Sequence, residues 1–170
     1  MIFKTKKHNN LLYNILLNLS RNIFFYKKIN LKDNFETRIY LMFMHFSILM
    51  IISKNKGKKF DQNEYDNFFD NIEYNLRELG FGDVTVNKKM KELNKILYDI
   101  LLKIKTQANE SENLNFELIS KYFDDFKKPD ECNYKEFEAY FKSFYNFCYK
   151  LPLENMLKKA INFKYNHGCT

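Results

Sequence analysis

A chain of 170 residues and 20.8 kDa has the size of one domain. Its 45% apolar and 29% charged residues, at a mean hydropathy of -0.52, exclude a disordered chain and a polytopic membrane protein alike. Four Gly and two Pro leave too little turn material for sandwiches, barrels or dinucleotide-binding units, so the expected fold is all-α, a compact bundle of six to seven helices. The net charge of +7 invites an anionic partner, but 25 of the 28 basic residues are lysine and only Arg21, Arg38 and Arg77 are arginine. With abundant Asn, Ile, Phe and Tyr, that bias is what AT-rich codons produce, and lysine lacks the planar fork with which arginine reads phosphates and bases. DNA is not an expected partner.

Leu12, Ile15, Leu16, Leu19 and Ile23 recur at intervals of three and four, which predicts a first amphipathic helix over residues 10–26. Asp33 or Asn34 is the candidate N-cap of a second helix reaching about residue 54. Its apolar run, 39–52, is interrupted only by His45 and Ser47. About 14 residues rise roughly 21 Å, short of a hydrocarbon core of roughly 30 Å, so a buried central helix is expected. Asp61 opens a third helix with Tyr65, Phe68, Phe69, Ile72, Leu76 and Leu79 on its apolar side, closed by Gly80 as a left-handed cap. Asp83 or Thr85 caps a fourth, with Val86, Met90, Leu93, Leu97, Ile100, Leu101 and Ile104 on one side and Lys88, Lys89, Lys91, Lys95 and Lys103 on the other.

The polar, aperiodic stretch 107–115 reads as a linker between a helical core, 1–108, and an aromatic-rich C-terminal part, 109–170, packed on it. Leu114, Leu118, Ile119, Tyr122, Phe123 and Phe126 make a short helix that ends before Pro129. Between Tyr134 and Tyr149 aromatic residues cover most of a helix circumference, and a last helix starts with Pro152 in its first turn and carries Met156, Leu157, Ile161 and Phe163.

No local spacing supplies a nucleophile with its base and orienting group, so no catalytic residue, cofactor or metal is expected. Cys132, Cys148 and Cys169 are odd in number and widely spaced, which speaks against a disulfide framework and for a reducing compartment. His8 and His167 lie near the ends, and His167 with Cys169 is too small a set for zinc. His45, on the most apolar helix, is expected to be a satisfied core histidine. Residues 80–83, Gly-Phe-Gly-Asp, have the look of a phosphate loop, but a helix precedes them and Asp83 would repel the anion, so they read as a tight interhelical corner. Asp61, Glu64, Asp66, Asp70, Glu73 and Glu78 read as a solvated acidic face. The aromatic C-terminal helix is either core or a surface for a hydrophobic partner. The basic start, 1–7, is not followed by a clean apolar stretch, since Asn14 and Asn18 interrupt it, and no secretory signal is expected.

The run from Arg77 to Val86, Arg-Glu-Leu-Gly-Phe-Gly-Asp-Val-Thr-Val, followed by Lys88, Lys89, Met90 and Lys91, resembles the signature of the ubiquinol–cytochrome c chaperone family. Arg38 with the His45 helix, and Phe68-Phe69-Asp70, are similar to that family's upstream segments, whereas Asp99-Ile100 stands where many relatives carry Gly-Arg. The resemblance implies a non-enzymatic, all-helical assembly chaperone without cofactor. It would bind newly made cytochrome b during biogenesis of ubiquinol–cytochrome c reductase, with the ribosome and a small helical co-chaperone as further partners. The implied location is the bacterial cytoplasm, peripheral to the inner membrane, or the matrix side of the mitochondrial inner membrane. The client-binding candidates are Arg77, Glu78, Leu79, Gly80, Phe81, Gly82 and Asp83, with Lys88, Lys89, Lys91 and Lys95 as a basic surface facing rRNA or anionic lipid. Two readings of the corner stay open: Phe81 and its apolar neighbours touch a client, or Arg77, Glu78 and Asp83 clasp the corner internally. Competing functions are a membrane- or ribosome-surface adaptor without chaperone action, and an enzyme whose pocket joins His45 to Arg38, Glu78 or Asp83.

Overall fold

A computed structural model describes residues 10–107, 116–127 and 131–166. His8, Pro129, His167, Cys169 and nearly all of the expected linker lie outside these. The described residues form an all-α bundle of seven α-helices without strands: α1 (Leu11–Ser20), α2 (Phe35–Asn55), α3 (Gln62–Glu78), α4 (Asp83–Gln107), α5 (Phe116–Tyr122), α6 (Glu131–Lys150) and α7 (Leu153–Ala160).

The first helix is shorter than its spacing predicts. The Asn10 side chain caps it by accepting the Tyr13 N–H at 2.7 Å, but after Ser20 the Asn22 carboxamide accepts the Phe24 N–H at 3.0 Å and draws the backbone out of the helix. The chain resumes as a π-helical turn, Phe24–Lys28, in which the Ile29 N–H donates to the Phe24 carbonyl at 3.0 Å. Asn30, in the left-handed region at φ 64°, closes that turn. Phe24 and Phe25 are thereby buried, which a straight continuation of α1 would not secure.

The Asn34 side chain caps α2 through the Thr37 N–H at 2.8 Å. This helix runs for 21 residues, about 31 Å, so its length alone does not keep it out of a bilayer, contrary to the sequence estimate. What makes it the central element is coverage: α1, α4 and α6 pack around it, and 72% of its most apolar window is buried. A helix apolar on all sides finds partners on all sides.

Asp61 caps α3 through the Asn63 N–H at 2.8 Å, and α3 and α4 form an antiparallel hairpin. Its inner faces contribute Phe68, Phe69, Ile72 and Leu76 from α3 and Val86, Leu93, Leu97 and Ile100 from α4. The short amide–phenol hydrogen bond from Asn75 to Tyr13 ties α3 to α1, and the Tyr65 hydroxyl donates to Asn94 at 3.2 Å across the hairpin. Leu79, placed on the apolar side by its spacing, is instead exposed, since it stands one turn beyond Leu76, where the hairpin ends.

The aromatic C-terminal helix is chiefly core. Phe137, Tyr140, Phe141, Phe144 and Cys148 of α6 are buried, packed on α2 and on the π-helical turn. Its remaining aromatic residues lie at the margin: Tyr145 and Tyr149 stack at 5.7 Å, with Lys56 5.2 Å above Tyr149. Pro152 occupies the N-cap of α7, so the helix starts at Leu153, one residue later than expected, and Met156 and Ala160 seat α7 against the bundle.

Candidate functional site

The α3–α4 corner follows from a cap. Gly80, at φ 90°, takes the left-handed position that L side chains avoid, so the Gly80 N–H donates to the Arg77 carbonyl at 3.0 Å and the Phe81 N–H to the Leu76 carbonyl at 3.3 Å. The chain then turns within two residues. The Val86 N–H donates to the Gly82 carbonyl at 2.9 Å, so Gly82 holds the cap position of α4, with Asp83 inside the first turn and Thr85 not capping at all. Asp83 there complements the positive end of the helix dipole.

Residues 77–85 are exposed without exception, between the buried anchors Leu76 and Val86. The run that carries the family resemblance is therefore surface. Leu79 is 59% exposed, Phe81 38% and Val84 84%, three apolar side chains within six residues. Of the two readings of the corner, the clasp forms, with one change of partner. Arg77 donates to Asp83 through a short ion pair and to Glu73 at 2.8 Å, which clasps the corner from outside. The clasp uses Glu73 rather than Glu78, whose carboxylate accepts from the Tyr74 hydroxyl instead. The i, i+4 spacing of Glu73 and Arg77 is the signal that reveals this partner in the sequence. Val84 was likewise outside the candidate set, although it belongs to the same run.

Among the basic candidates, Lys89 leans back over the corner, its Nζ 4.9 Å from the Phe81 ring centroid, and holds that ring by a cation–π contact. Lys88, Lys91 and Lys95 are exposed and make no ion pair among the described residues. The corner is thus an apolar ledge of Leu79, Phe81 and Val84, braced on one side by Arg77 and its acids and on the other by Lys89.

His45 is elsewhere and is fully buried. Its Nδ1–H donates to the Leu41 carbonyl at 2.7 Å and its Nε2 accepts from the Tyr140 hydroxyl at 3.0 Å, which fixes the neutral tautomer. Phe25, Phe141 and Phe144 surround the ring with centroids at 6.0, 4.9 and 4.8 Å. Burial pushes the imidazole down to about 4, against which the Leu41 hydrogen bond works only weakly. Arg38 makes a bidentate pair with Asp33, at 2.7 and 2.9 Å, at the start of α2. The pocket joining His45 to Arg38, Glu78 or Asp83 does not form, and His45 is the core histidine expected of it.

A further polar cluster links α4 to α5. Asp99 accepts from Lys121 at 2.9 Å and from the Tyr122 hydroxyl by a short hydrogen bond, and pairs with Lys103 at 3.3 Å. Partial burial opposes its charge, but these donors outweigh it and hold the carboxyl down at about 2. Asp99, one of the two departures from the family pattern, thus anchors α5.

Fold and site together define a class: an all-α bundle that exposes Leu79, Phe81 and Val84 on the corner between two of its helices. The chain belongs to the Ubiquinol-cytochrome C chaperone family, whose model matches residues 27–125, from the π-helical turn through α5 and including the whole corner. Membership gives it a chaperone role and, with that, a client protein. Comparison with curated proteins and with solved structures finds no match.

Proposed function

We propose that the protein is an assembly chaperone that holds newly made cytochrome b during biogenesis of ubiquinol–cytochrome c reductase, acting without catalysis at the face of the inner membrane. The observation that carries the reading is the exposure of Leu79, Phe81 and Val84 on one rigid corner inside the family-matched segment. A membrane protein's segment needs its apolar side chains covered before insertion, and a ledge of exposed aliphatic and aromatic carbon beside ordered charge offers that cover without an active site. The Schellman cap and the Arg77 clasp hold the ledge in place, so little ordering cost remains when a client docks.

The test is affinity capture of the full chain from cells that make their native respiratory chain, followed by mass spectrometry. Cytochrome b should be recovered with the wild-type protein and lost with Phe81→Asp, while far-ultraviolet circular dichroism and the thermal midpoint of that variant stay unchanged. Absence of every component of ubiquinol–cytochrome c reductase from the wild-type capture refutes the client. Loss of folding in Phe81→Asp assigns the ring to packing.

A further inference from the structure

Beyond the corner, the outer face of the α3–α4 hairpin carries a charge pattern that the client reading does not use. Asp66 and Asp70 on α3 are one turn apart, and both are exposed, on the side opposite Phe68, Phe69 and Ile72. Lys91 and Lys95 on α4 are likewise one turn apart and exposed, opposite Val86, Leu93 and Leu97. Asp70 lies eight residues before the last residue of α3, and Lys91 eight residues after the first of α4. Asp66 and Lys95 are each twelve residues from the same ends. In an antiparallel hairpin at 1.5 Å per residue, the two pairs therefore sit level, about 12 and about 18 Å below the corner.

Level neighbours of opposite charge on packed helices could pair within the chain. Here they do not: among the described residues Asp70, Lys91 and Lys95 have no ion-pair partner, and Asp66 accepts from Gln62 at 2.8 Å. All four side chains are exposed. Lysine-rich codon drift raises the number of lysines, but it does not set acids on the adjoining helix at the same two levels.

We infer that this face binds a second copy of the chain, with the two-fold axis running along the hairpin. That operation lays α3 of one copy antiparallel on α4 of the other and keeps every level, so Asp70 meets Lys91 and Asp66 meets Lys95, each contact occurring twice. Two helices about 10 Å wide over about 20 Å give each copy a flat footprint of about 400 Å², at the small end for a specific interface. The dimer is therefore weak, formed at tens of micromolar protein and sensitive to salt. The same axis keeps both corners at one end, which sets two Leu79–Phe81–Val84 ledges side by side. That consequence rests on the client reading; the association itself does not.

The test is sedimentation equilibrium of the full chain at about 100 µM in about 30 mM and about 500 mM salt. At low salt the mass should approach twice 20.8 kDa and at high salt return to one chain. Lys91→Glu and Asp70→Lys should each be monomeric in both buffers with unchanged helicity. An equimolar mixture of the two variants should dimerise again, because both contacts then join opposite charges. A wild-type monomer at low salt overturns the inference, as does a dimer indifferent to either variant or a mixture that stays monomeric. A monomer that instead cosediments with phosphatidylglycerol vesicles, and loses them on Lys91→Glu, assigns the row to a lipid surface and overturns it too. None of these outcomes touches capture of a client by the corner.

Discussion

The buried His45 makes the stability of the protein depend on pH in a window that its carboxylates leave clear. Folded, the imidazole is enclosed by Phe25, Phe141 and Phe144 and holds off protonation until about pH 4; unfolded, it takes a proton near 6.5. The unfolded chain thus binds the extra proton between these values, so stability is complete above about 6.5 and falls as the pH drops toward 4. At about 1.4 kcal/mol per pKa unit the whole loss is about 3 kcal/mol, and at pH 4.5 it is already about 2.5. For a chain of this size that lowers the thermal midpoint by roughly 5–10 °C. The facing Tyr140 hydroxyl, pushed up by burial, does not titrate in this range, and the stabilisation from Asp99, held down at about 2, is lost only as the pH falls below the usual carboxylate value toward 2. Urea titrations of wild type and His45→Leu at pH 7.5, 6.0 and 4.5, followed by circular dichroism, isolate the effect. The variant should start lower, since the Tyr140 hydroxyl loses a partner, but should lose about 2.5 kcal/mol less between pH 7.5 and 4.5. If wild type and variant lose stability in parallel, the neutral buried imidazole is refuted.

Tyr140→Phe strands the Nε2 of His45 in a dry site and should cost about 1–3 kcal/mol in urea unfolding, while Tyr98→Phe on the exposed side of α4 should stay within about 0.5. Asp99→Asn removes the charge that gathers Lys103, Lys121 and the Tyr122 hydroxyl; because both lysines are substantially exposed, the cost should be about 1 kcal/mol, with hydrogen exchange quickened in 116–122 and not in α2. Gly80→Ala meets no atom within 4 Å, so its penalty is backbone strain alone at φ 90°: about 1 kcal/mol in denaturant unfolding, against a much smaller change for Gly82→Ala, whose φ is not positive.

Features fixed by a few adjacent residues were legible in the sequence. Gly80 caps α3 as expected, Asn34 rather than Asp33 caps α2, and Asp61, expected to open α3, does so as its cap, because a cap is a hydrogen bond to a backbone group two to four residues away. The end of α1 was not legible: Ile23 prolongs the apolar spacing, while the competing hydrogen bond of Asn22 interrupts the backbone without disturbing the pattern. Leu79 has the phase of a core residue, and only the position of the hairpin's end shows that nothing covers it. The corner's glycines and charges were visible, but the choice of Glu73 over Glu78 for Arg77 was settled by side-chain reach across the turn. The aromatic residues of α6 gave no preference between core and surface, since their distribution around the helix is even. The apolar face of α2 decides it by drawing in Tyr140, Phe141 and Phe144.

The family match ends at residue 125, yet the side of α2 that holds His45 is closed by residues outside it: Phe25 before its start, and Tyr140, Phe141 and Phe144 well beyond its end. Tyr13 of α1 likewise reaches Asn75, one turn from the corner. The folding unit is therefore larger than the matched segment. A fragment of 27–125 would keep every residue of the corner but strip four aromatic rings, with the Tyr140 hydroxyl, from a buried imidazole. An exposed apolar helix of 21 residues then becomes the most adhesive surface of the fragment, outweighing the small ledge at the corner. Client capture by such a fragment would report on α2, not on Leu79, Phe81 and Val84, which is why point substitutions in the full chain are the experiments that discriminate.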